Sequence, residues 1–257
     1  MSPRRALGEL TGRPRVDRAL RAVAAPLAVG LLAAVAVFWL STTVFPHLSV
    51  NHDEGVYLQQ AAMLLDGRLF LRTPFPDAFR PWFFVVDGNR MYPKYTPVPA
   101  VVFALGKLAG SYRYALAGVA AANAALVVAL TRDAFDARTG LLAGVALLGT
   151  PLFLLTSAAF FPYAPTTMLN LAFAAAYVRA VRRDDFRWAA LAGCFAGLAF
   201  FARPYTAVLF VLPFAAHGLL ELVRARPGDR SSPLESAALR RVAGRYAVIS
   251  ALGLAWV

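Results

Sequence analysis

The stretch AVAAPLAVGLLAAVAVFWLSTTVF, residues 22–45, contains no charged side chain. An α-helix needs about 20 consecutive apolar residues to cross the hydrocarbon core of a bilayer, so this stretch is long enough for one span. It is too long, and its basic N-terminal flank too extended, for a cleaved signal peptide. We therefore expect a membrane helix here, and the fold class of the chain follows from it.

The composition of the whole chain agrees with a membrane protein. Of its 257 residues, 59% are hydrophobic and only 16% are charged, whereas about 25% of the residues in a soluble domain are charged. Cys194 is the one cysteine, which excludes a disulfide framework and a cysteine-based metal site and leaves it a packing residue. The sequence predicts an all-α, polytopic membrane helical bundle.

The net charge of +12 is explained by topology, because the arginines gather at alternate turns between apolar runs. Positive charge is retained on the cytoplasmic side of a membrane, so the N-terminus is expected in the cytoplasm. No aromatic and basic platform accompanies the charge, so nucleic acid is not an expected partner. The clustered arginines are Arg4, Arg5, Arg13, Arg15, Arg18, Arg21, Arg132, Arg138, Arg179, Arg182, Arg183, Arg187, Arg224, Arg226, Arg230, Arg240, Arg241 and Arg245.

Counting apolar runs from this start gives four regions. These are a cytoplasmic basic segment (1–21), a transmembrane domain (22–223), a cytoplasmic loop (224–241) and the beginning of a further membrane helix (242–257). Because that helix would leave backbone groups unsatisfied in hydrocarbon if it ended there, we expect the chain to be part of a longer protein. Within the transmembrane domain the predicted elements are an extracytoplasmic loop (46–97), a short re-entrant helix (98–110), spans at 112–130, 139–160 and 164–181, and two passes within 188–223 that meet at Arg203-Pro204.

The extracytoplasmic loop contains two predicted elements. Asn51 or Asp53 is placed to cap a surface helix that runs to Leu65 and stops at Gly67. Farther along, Asp87-Gly88 is a strong turn dipeptide between FFVV and RMYP, which predicts a β-hairpin. Prolines argue against regular structure in the rest of the loop.

Asp53 and Glu54 are the first candidates for chemistry. One interpretation is structural: Asp53 caps the surface helix and Glu54 favours its positive N-terminus. The other is that one carboxylate acts as a general base on an acceptor hydroxyl, with its ionisation tuned by partial desolvation and nearby arginines. The two roles can coexist.

Cationic and aromatic candidates follow at two later positions. Tyr92, Lys94 and Tyr95 are typical of an interfacial anchor, and an ammonium at that depth can also pair with a lipid phosphate. Arg203 lies within an apolar stretch where ionisable groups are unfavourable. It either snorkels in a structural role or binds a phosphate bidentately.

Other cofactor chemistry is not indicated. His52 and His217 do not have a metal-ligand spacing and are interpreted as packed or hydrogen-bonding histidines. There is no glycine-rich nucleotide loop. We expect neither a metal nor a cofactor.

Three motifs in order resemble one known family: DEGVYLQQAAMLLDGRLF (53–70), YPKYTPVPAVVFALG (92–106) and GLAFFARPYTAVLFVLP (197–213). The chain resembles the N-terminal half of a GT-C membrane glycosyltransferase. It is most similar to family 39 and the dolichyl-phosphate-mannose protein mannosyltransferase-like group, which also contains the lipid A aminoarabinose transferases. That family has an Asp-Glu pair in its first extracytoplasmic loop, a Lys or Trp with prolines before the next membrane helix, and a Lys/Arg-Pro between later spans.

The resemblance implies roles for four of the candidates. Asp53 matches the catalytic base and Glu54 its partner, Lys94 a residue near the lipid-linked phosphate, and Arg203 a neighbour of the same cavity. Many relatives carry an acidic residue or a histidine at the start of the span that here begins with Tyr163, Ala164 and Pro165, and this departure puts substrate positioning in question.

The leading hypothesis is an inverting, metal-independent glycosyltransferase of the cytoplasmic membrane, with its active site on the extracytoplasmic face. It would move a hexosyl or pentosyl group from a polyprenyl-phosphate donor to a lipid, protein or glycan acceptor. Asp53 would be the base, and Lys94 and Arg203, with Tyr92 and Tyr95 beside them, would bind the lipid phosphate. The alternatives are a transporter or lipid flippase and a noncatalytic or truncated relative of the same family.

Overall fold

The computed structural model describes residues 13–49, 51–72, 75, 81, 83–225 and 233–255. Most of the predicted basic segment (1–12), part of the predicted cytoplasmic loop (226–232) and residues 256 and 257 lie outside these ranges. Within them the chain forms ten α-helices and a small sheet. The helices are α1 (Arg13–Thr43), α2 (His52–Leu65), α3 (Val98–Leu108), α4 (Tyr112–Ala134), α5 (Ala137–Leu148), α6 (Pro151–Ser157), α7 (Tyr163–Arg183), α8 (Phe186–Ala202), α9 (Pro204–Arg224) and α10 (Pro233–Leu254).

The prediction of an all-α polytopic membrane bundle is confirmed. Among the described helices, α1 over Val23–Thr43, α4 and α9 are long and apolar enough to cross a bilayer, and α5 with α6 would make a fourth span. Helix α3 is an apolar helix too short to span, and α8, predicted as one of two passes within 188–223, is likewise apolar but shorter than the span length. Helices α8 and α9 are separated by the predicted break at Arg203.

Three further segments differ from their predictions. The run 139–160 is not one straight helix, because α5 and α6 meet at 66° where Pro151, which has no N–H to donate, begins α6. The run 164–181 forms α7, which has the length of a span but not the apolar composition. Helix α10 begins at Pro233, so part of the predicted loop 224–241 is helical, and residue 242 lies inside a helix rather than near its start.

The long connection between α1 and α3 contains the predicted hairpin and one unpredicted strand. Strands β2 (Phe84–Asp87) and β3 (Arg90–Pro93) pair antiparallel with Asp87 opposite Arg90, and Gly88 adopts the positive φ of +58° that the turn requires. Strand β1 (Leu71–Arg72) adds to the other edge of β3, giving the order β1-β3-β2. Two residues just before Pro74 and Pro76 carry too weak a pattern for β1 to be predicted.

Close packing of α1, α3 and α4 forms the main core. Small residues allow this approach: a Cβ on Gly106 of α3 would lie 2.6 Å from the backbone nitrogen of Ala115 in α4. Arg113, in the first turn of α4, donates from Nε to the carbonyl of Ser41 (3.0 Å) and from Nη2 to that of Pro46 (2.8 Å). It thereby satisfies carbonyls at the end of α1, where a helix lacks intrahelical donors. The end of α1 and the start of α4 therefore lie at the same end of the bundle.

Candidate functional site

The start of α2 orients Asp53. Asn51 is the N-cap, and its Oδ1 accepts a 3.0 Å hydrogen bond from the backbone N–H of Asp53. Asp53 is therefore the second residue of the helix and does not cap it. Of the two cap residues considered from the sequence, Asn51 has the role, and the Asp53 carboxylate is available for another contact.

That contact is made by Tyr95, whose hydroxyl donates to Oδ1 of Asp53 at 2.8 Å. The Tyr95 ring stacks between Tyr57 (5.0 Å between centroids) and Phe83 (5.5 Å), and its carbonyl accepts from Gln60 Nε2 at 3.1 Å. Burial raises the pKa of Tyr95, and the hydrogen bond to Asp53 raises it further. Tyr95 thus stays a protonated donor at neutral pH and holds one carboxylate oxygen of Asp53.

Asp53, Lys94 and Arg203 line one cavity of about 280 Å³. They come from α2, from the turn after β3 and from the junction of α8 with α9, so only the tertiary fold brings them together. Thr96 helps to join these parts, because its Oγ1 donates to the carbonyl of Ala202 at 3.0 Å. The remaining lining residues are Tyr57, Tyr95, Thr96, Pro162, Tyr163, Ala202, Pro204 and Tyr205.

Aromatic faces support both cations of this cavity. Lys94 Nζ lies 4.2 Å from the centre of the Phe83 ring, and Arg203 Cζ lies 4.5 Å from that of Tyr163. Within the described part of the chain, neither cation forms an ion pair with a carboxylate of a described residue. A cation–π contact restricts the side chain and attracts the cation without neutralising it. Both groups keep their charge for an anionic ligand.

Glu54 and Tyr92 lie outside the cavity lining. The Glu54 side chain is fully buried, and its two oxygens accept from the backbone N–H groups of Ser49 and Phe160, the latter at 2.7 Å. It therefore joins the start of α2 to the turn before α7. Tyr92 packs edge-on against Phe70 with the ring centres 5.7 Å apart. Of the predicted site residues, the structure brings Asp53, Lys94, Tyr95 and Arg203 together in the cavity. Glu54 and Tyr92 lie outside it.

Tyr163 and Tyr57 are cavity residues that the sequence interpretation did not select. Tyr163 occupies the position where an acid or a histidine was sought, and it contacts Arg203 through its ring. The sequence places Tyr163 directly after FFP, at the start of a predicted helix and at the same end of the bundle as Asp53. That position could have identified it as a site residue. Among the described residues, no three His, Cys, Asp or Glu side chains are grouped as metal ligands would be.

Comparison with protein families gives a match for part of the chain. Residues 100–227 match the family described as dolichyl-phosphate-mannose-protein mannosyltransferase. No curated protein and no solved structure shows a significant similarity to the chain. The matched range includes Tyr163 and Arg203 but begins after Asp53 and Lys94. Over residues 100–227, just under half of its length, the chain is thus similar to the dolichyl-phosphate-mannose-protein mannosyltransferase family of GT-C glycosyltransferases, and its long apolar helices are those of a multi-pass membrane protein.

Proposed function

We propose that the protein transfers a sugar from a polyprenyl-phosphate donor to an extracytoplasmic acceptor, with inversion and without a metal. The observation that carries this proposal is the shared cavity of Asp53, Lys94 and Arg203. It combines a carboxylate fixed by Tyr95 with two cations that no described carboxylate neutralises. These are the groups needed to accept a proton and to stabilise a departing phosphate.

The step we propose follows from these positions. Asp53 takes the proton of the acceptor hydroxyl while that oxygen attacks the anomeric carbon from the side opposite the phosphate. The bond between the anomeric carbon and the phosphate oxygen breaks, and polyprenyl phosphate leaves with the electron pair. Lys94 and Arg203 stabilise the negative charge that develops on the leaving group. Because Tyr95 holds Oδ1 of Asp53, we assign proton transfer to Oδ2.

Glu54 acts in this proposal as a positioning residue. Its carboxylate fixes the turn of α2 that carries Asp53 relative to the segment before Tyr163. Glu54 thereby fixes Asp53, on one side of the cavity, relative to Tyr163, on the other. Tyr92 supports the strand before Lys94 and has no direct role in transfer.

The arrangement of charges supports an extracytoplasmic cavity. Helix α7 starts at the cavity with Tyr163 and ends with Arg182 and Arg183, so the arginine-rich turn lies at the opposite end of the bundle. Positive charge marks the cytoplasmic side of membrane proteins. The cavity then faces outward, where the start of α4 and the end of α1 also lie.

The test uses the protein reconstituted in vesicles with labelled polyprenyl-phosphate mannose, the donor class named by the family. Release of polyprenyl phosphate and formation of a glycosidic product are measured with a membrane extract as acceptor. Asp53→Asn should lower transfer roughly 10²- to 10⁴-fold, the usual contribution of general base catalysis. Asp66→Asn is the matched control: it makes the same change at an exposed carboxylate after the end of α2 that does not line the cavity, and it should leave transfer unchanged. Unchanged transfer in Asp53→Asn would refute the base assignment.

The same vesicles distinguish transfer from transport. A transporter or flippase would move the labelled donor across the bilayer without forming a new glycosidic bond. Transfer is supported if product and free polyprenyl phosphate appear in equal amounts. Donor movement with no product would overturn the proposal.

A further inference from the structure

A second cavity, of about 380 Å³, lies between α7 and α9 near the arginine-rich end of the bundle. Its polar lining comes from Tyr177, Arg182 and His217, and apolar side chains such as Val178 and Phe214 form its wall. The mechanism proposed above uses none of these residues. Within the described chain, helix α9 is scarcely covered by other elements: only 11% of its most apolar stretch is buried. The cavity therefore faces the side of a spanning helix, at the level where lipid headgroups are expected.

A polar network behind the cavity holds Nδ1 of His217. Tyr246 donates its hydroxyl proton to Glu221 Oε2 at 2.6 Å, and the same carboxylate oxygen accepts from Arg245 at 2.7 Å. Tyr177 lies between this pair and the cavity: its hydroxyl is 3.1 Å from that of Tyr246 and 2.8 Å from His217 Nδ1. The network thus runs continuously from a buried ion pair to the histidine.

One assignment of protons along this network gives every donor an acceptor. Because Tyr246 gives its proton to Glu221, its oxygen can only accept from Tyr177. The carbonyl of Phe214, 3.0 Å from the Tyr177 hydroxyl, is also an acceptor. Tyr177 has a single proton for these two acceptors, so this assignment makes Nδ1 of His217 the donor to the Tyr177 oxygen. In the neutral ring, Nε2 is then a hydrogen-bond acceptor available to a ligand in the cavity.

Arg182 supplies the positive charge of the cavity. It donates to the backbone carbonyl of Asp133, whereas the carboxylate of that residue pairs with Arg179 at 3.2 Å. Among the described residues, Arg182 has a neutral partner and no carboxylate partner. Its charge is therefore not cancelled by a described acid and favours an anion.

We propose that this cavity binds an anionic phospholipid whose headgroup carries hydroxyls, as in phosphatidylglycerol. Arg182 donates to the lipid phosphate, and Nε2 of His217 accepts from a headgroup hydroxyl. The apolar wall of the cavity packs against the first carbons of the acyl chains. A headgroup that ends in an ammonium, as in phosphatidylethanolamine, would bring a second positive charge toward Arg182 and bind less well. The site is separate from the sugar-transfer cavity, at the other end of α7.

The test is native mass spectrometry of the purified protein after exposure to equimolar phosphatidylglycerol, phosphatidylethanolamine and phosphatidylcholine, with no polyprenyl phosphate present. Preferential retention of phosphatidylglycerol is expected. Arg182→Gln should weaken that retention about tenfold or more, since a hydrogen bond to a charged group contributes about 1.5–3 kcal/mol. His217→Phe should reduce the preference for phosphatidylglycerol over phosphatidylethanolamine.

Arg187→Gln is the matched control, because it removes the same charge from an exposed position of α8 that does not line the cavity. It should leave retention unchanged. An equal loss in Arg187→Gln and Arg182→Gln would show diffuse attraction to the basic surface and overturn the proposal. So would equal retention of all three lipids, the result expected if another helix fills the groove. The readout requires no sugar transfer, so its failure would leave the proposed function unaffected.

Discussion

The hydroxyl of Tyr95 donates a 2.8 Å hydrogen bond to Oδ1 of Asp53, a residue 42 positions earlier in the chain. This contact joins the start of α2 to the turn that carries Lys94. It fixes the carboxylate by one oxygen, and the Tyr95 ring is itself fixed by stacking on Tyr57 and Phe83. The side chain proposed as the base is thus held by an aromatic group that is already rigid.

Tyr95→Phe tests this contact, because it keeps the stacked ring and removes only the donor. We expect kcat for sugar transfer to fall about tenfold or more, the effect of losing a hydrogen bond to a charged group, with KM for the donor unchanged. Steady-state kinetics in vesicles measures both. Tyr92→Phe, which changes a tyrosine outside the cavity, should have no effect. If KM rises and kcat does not change, Tyr95 contacts the donor and does not position the base.

Tyr163 should act through Arg203. Tyr163→Leu removes the ring beneath the guanidinium and should raise KM for the lipid donor roughly 2- to 30-fold, as expected for a cation–π contact of about 0.5–2 kcal/mol. Tyr163→Phe keeps the ring and should remain within a factor of two or so of the parent protein. The measurement is the donor-concentration dependence of transfer. A loss in Tyr163→Phe as large as in Tyr163→Leu would assign the effect to the hydroxyl and contradict the role of the ring.

Glu54→Gln should reduce stability. The buried carboxylate accepts from the N–H groups of Ser49 and Phe160, whereas an amide has one acceptor oxygen and would direct its own NH₂ at the other donor. Leaving a buried group unsatisfied destabilises by about 1–3 kcal/mol, which thermal unfolding in detergent would report as a lower Tm. Gln59→Ala changes an exposed residue of the same helix and should leave Tm nearly unchanged. An unaltered Tm in Glu54→Gln would argue against the positioning role.

Two glycines provide a matched test of helix packing. At Gly106 an added Cβ would meet the backbone of Ala115 at 2.6 Å, whereas at Gly118 nothing lies within 4 Å. Gly106→Ala should therefore destabilise the bundle by about 1–3 kcal/mol through overpacking. Gly118→Ala should be neutral or slightly stabilising, because alanine is the better helix former by up to about 1 kcal/mol. Comparable Tm values for the two variants would show that α3 and α4 do not pack this closely.

Several elements could be predicted because their signals are local. The hairpin at Asp87-Gly88 follows from a turn dipeptide between apolar residues, and the break at Arg203-Pro204 from a proline beside a charge in an apolar run. The bend before Pro151 was missed because the surrounding apolar run is long enough to read as one span. The start of α10 at Pro233 was missed because its first turns are polar and resemble a loop.

By itself the sequence determined the class of the protein, since a chain that is 59% hydrophobic must place its long apolar runs in a membrane. It also determined the residue types of the site, because charged groups are rare enough here for each to stand out. The tertiary structure decided which of them meet. Adjacent residues on a helix point in different directions, so Asp53 faces the cavity while Glu54 is buried against Phe160. Only the packing of α2, α7 and α8 around the turn after β3 places Asp53, Tyr163 and Arg203 on one cavity.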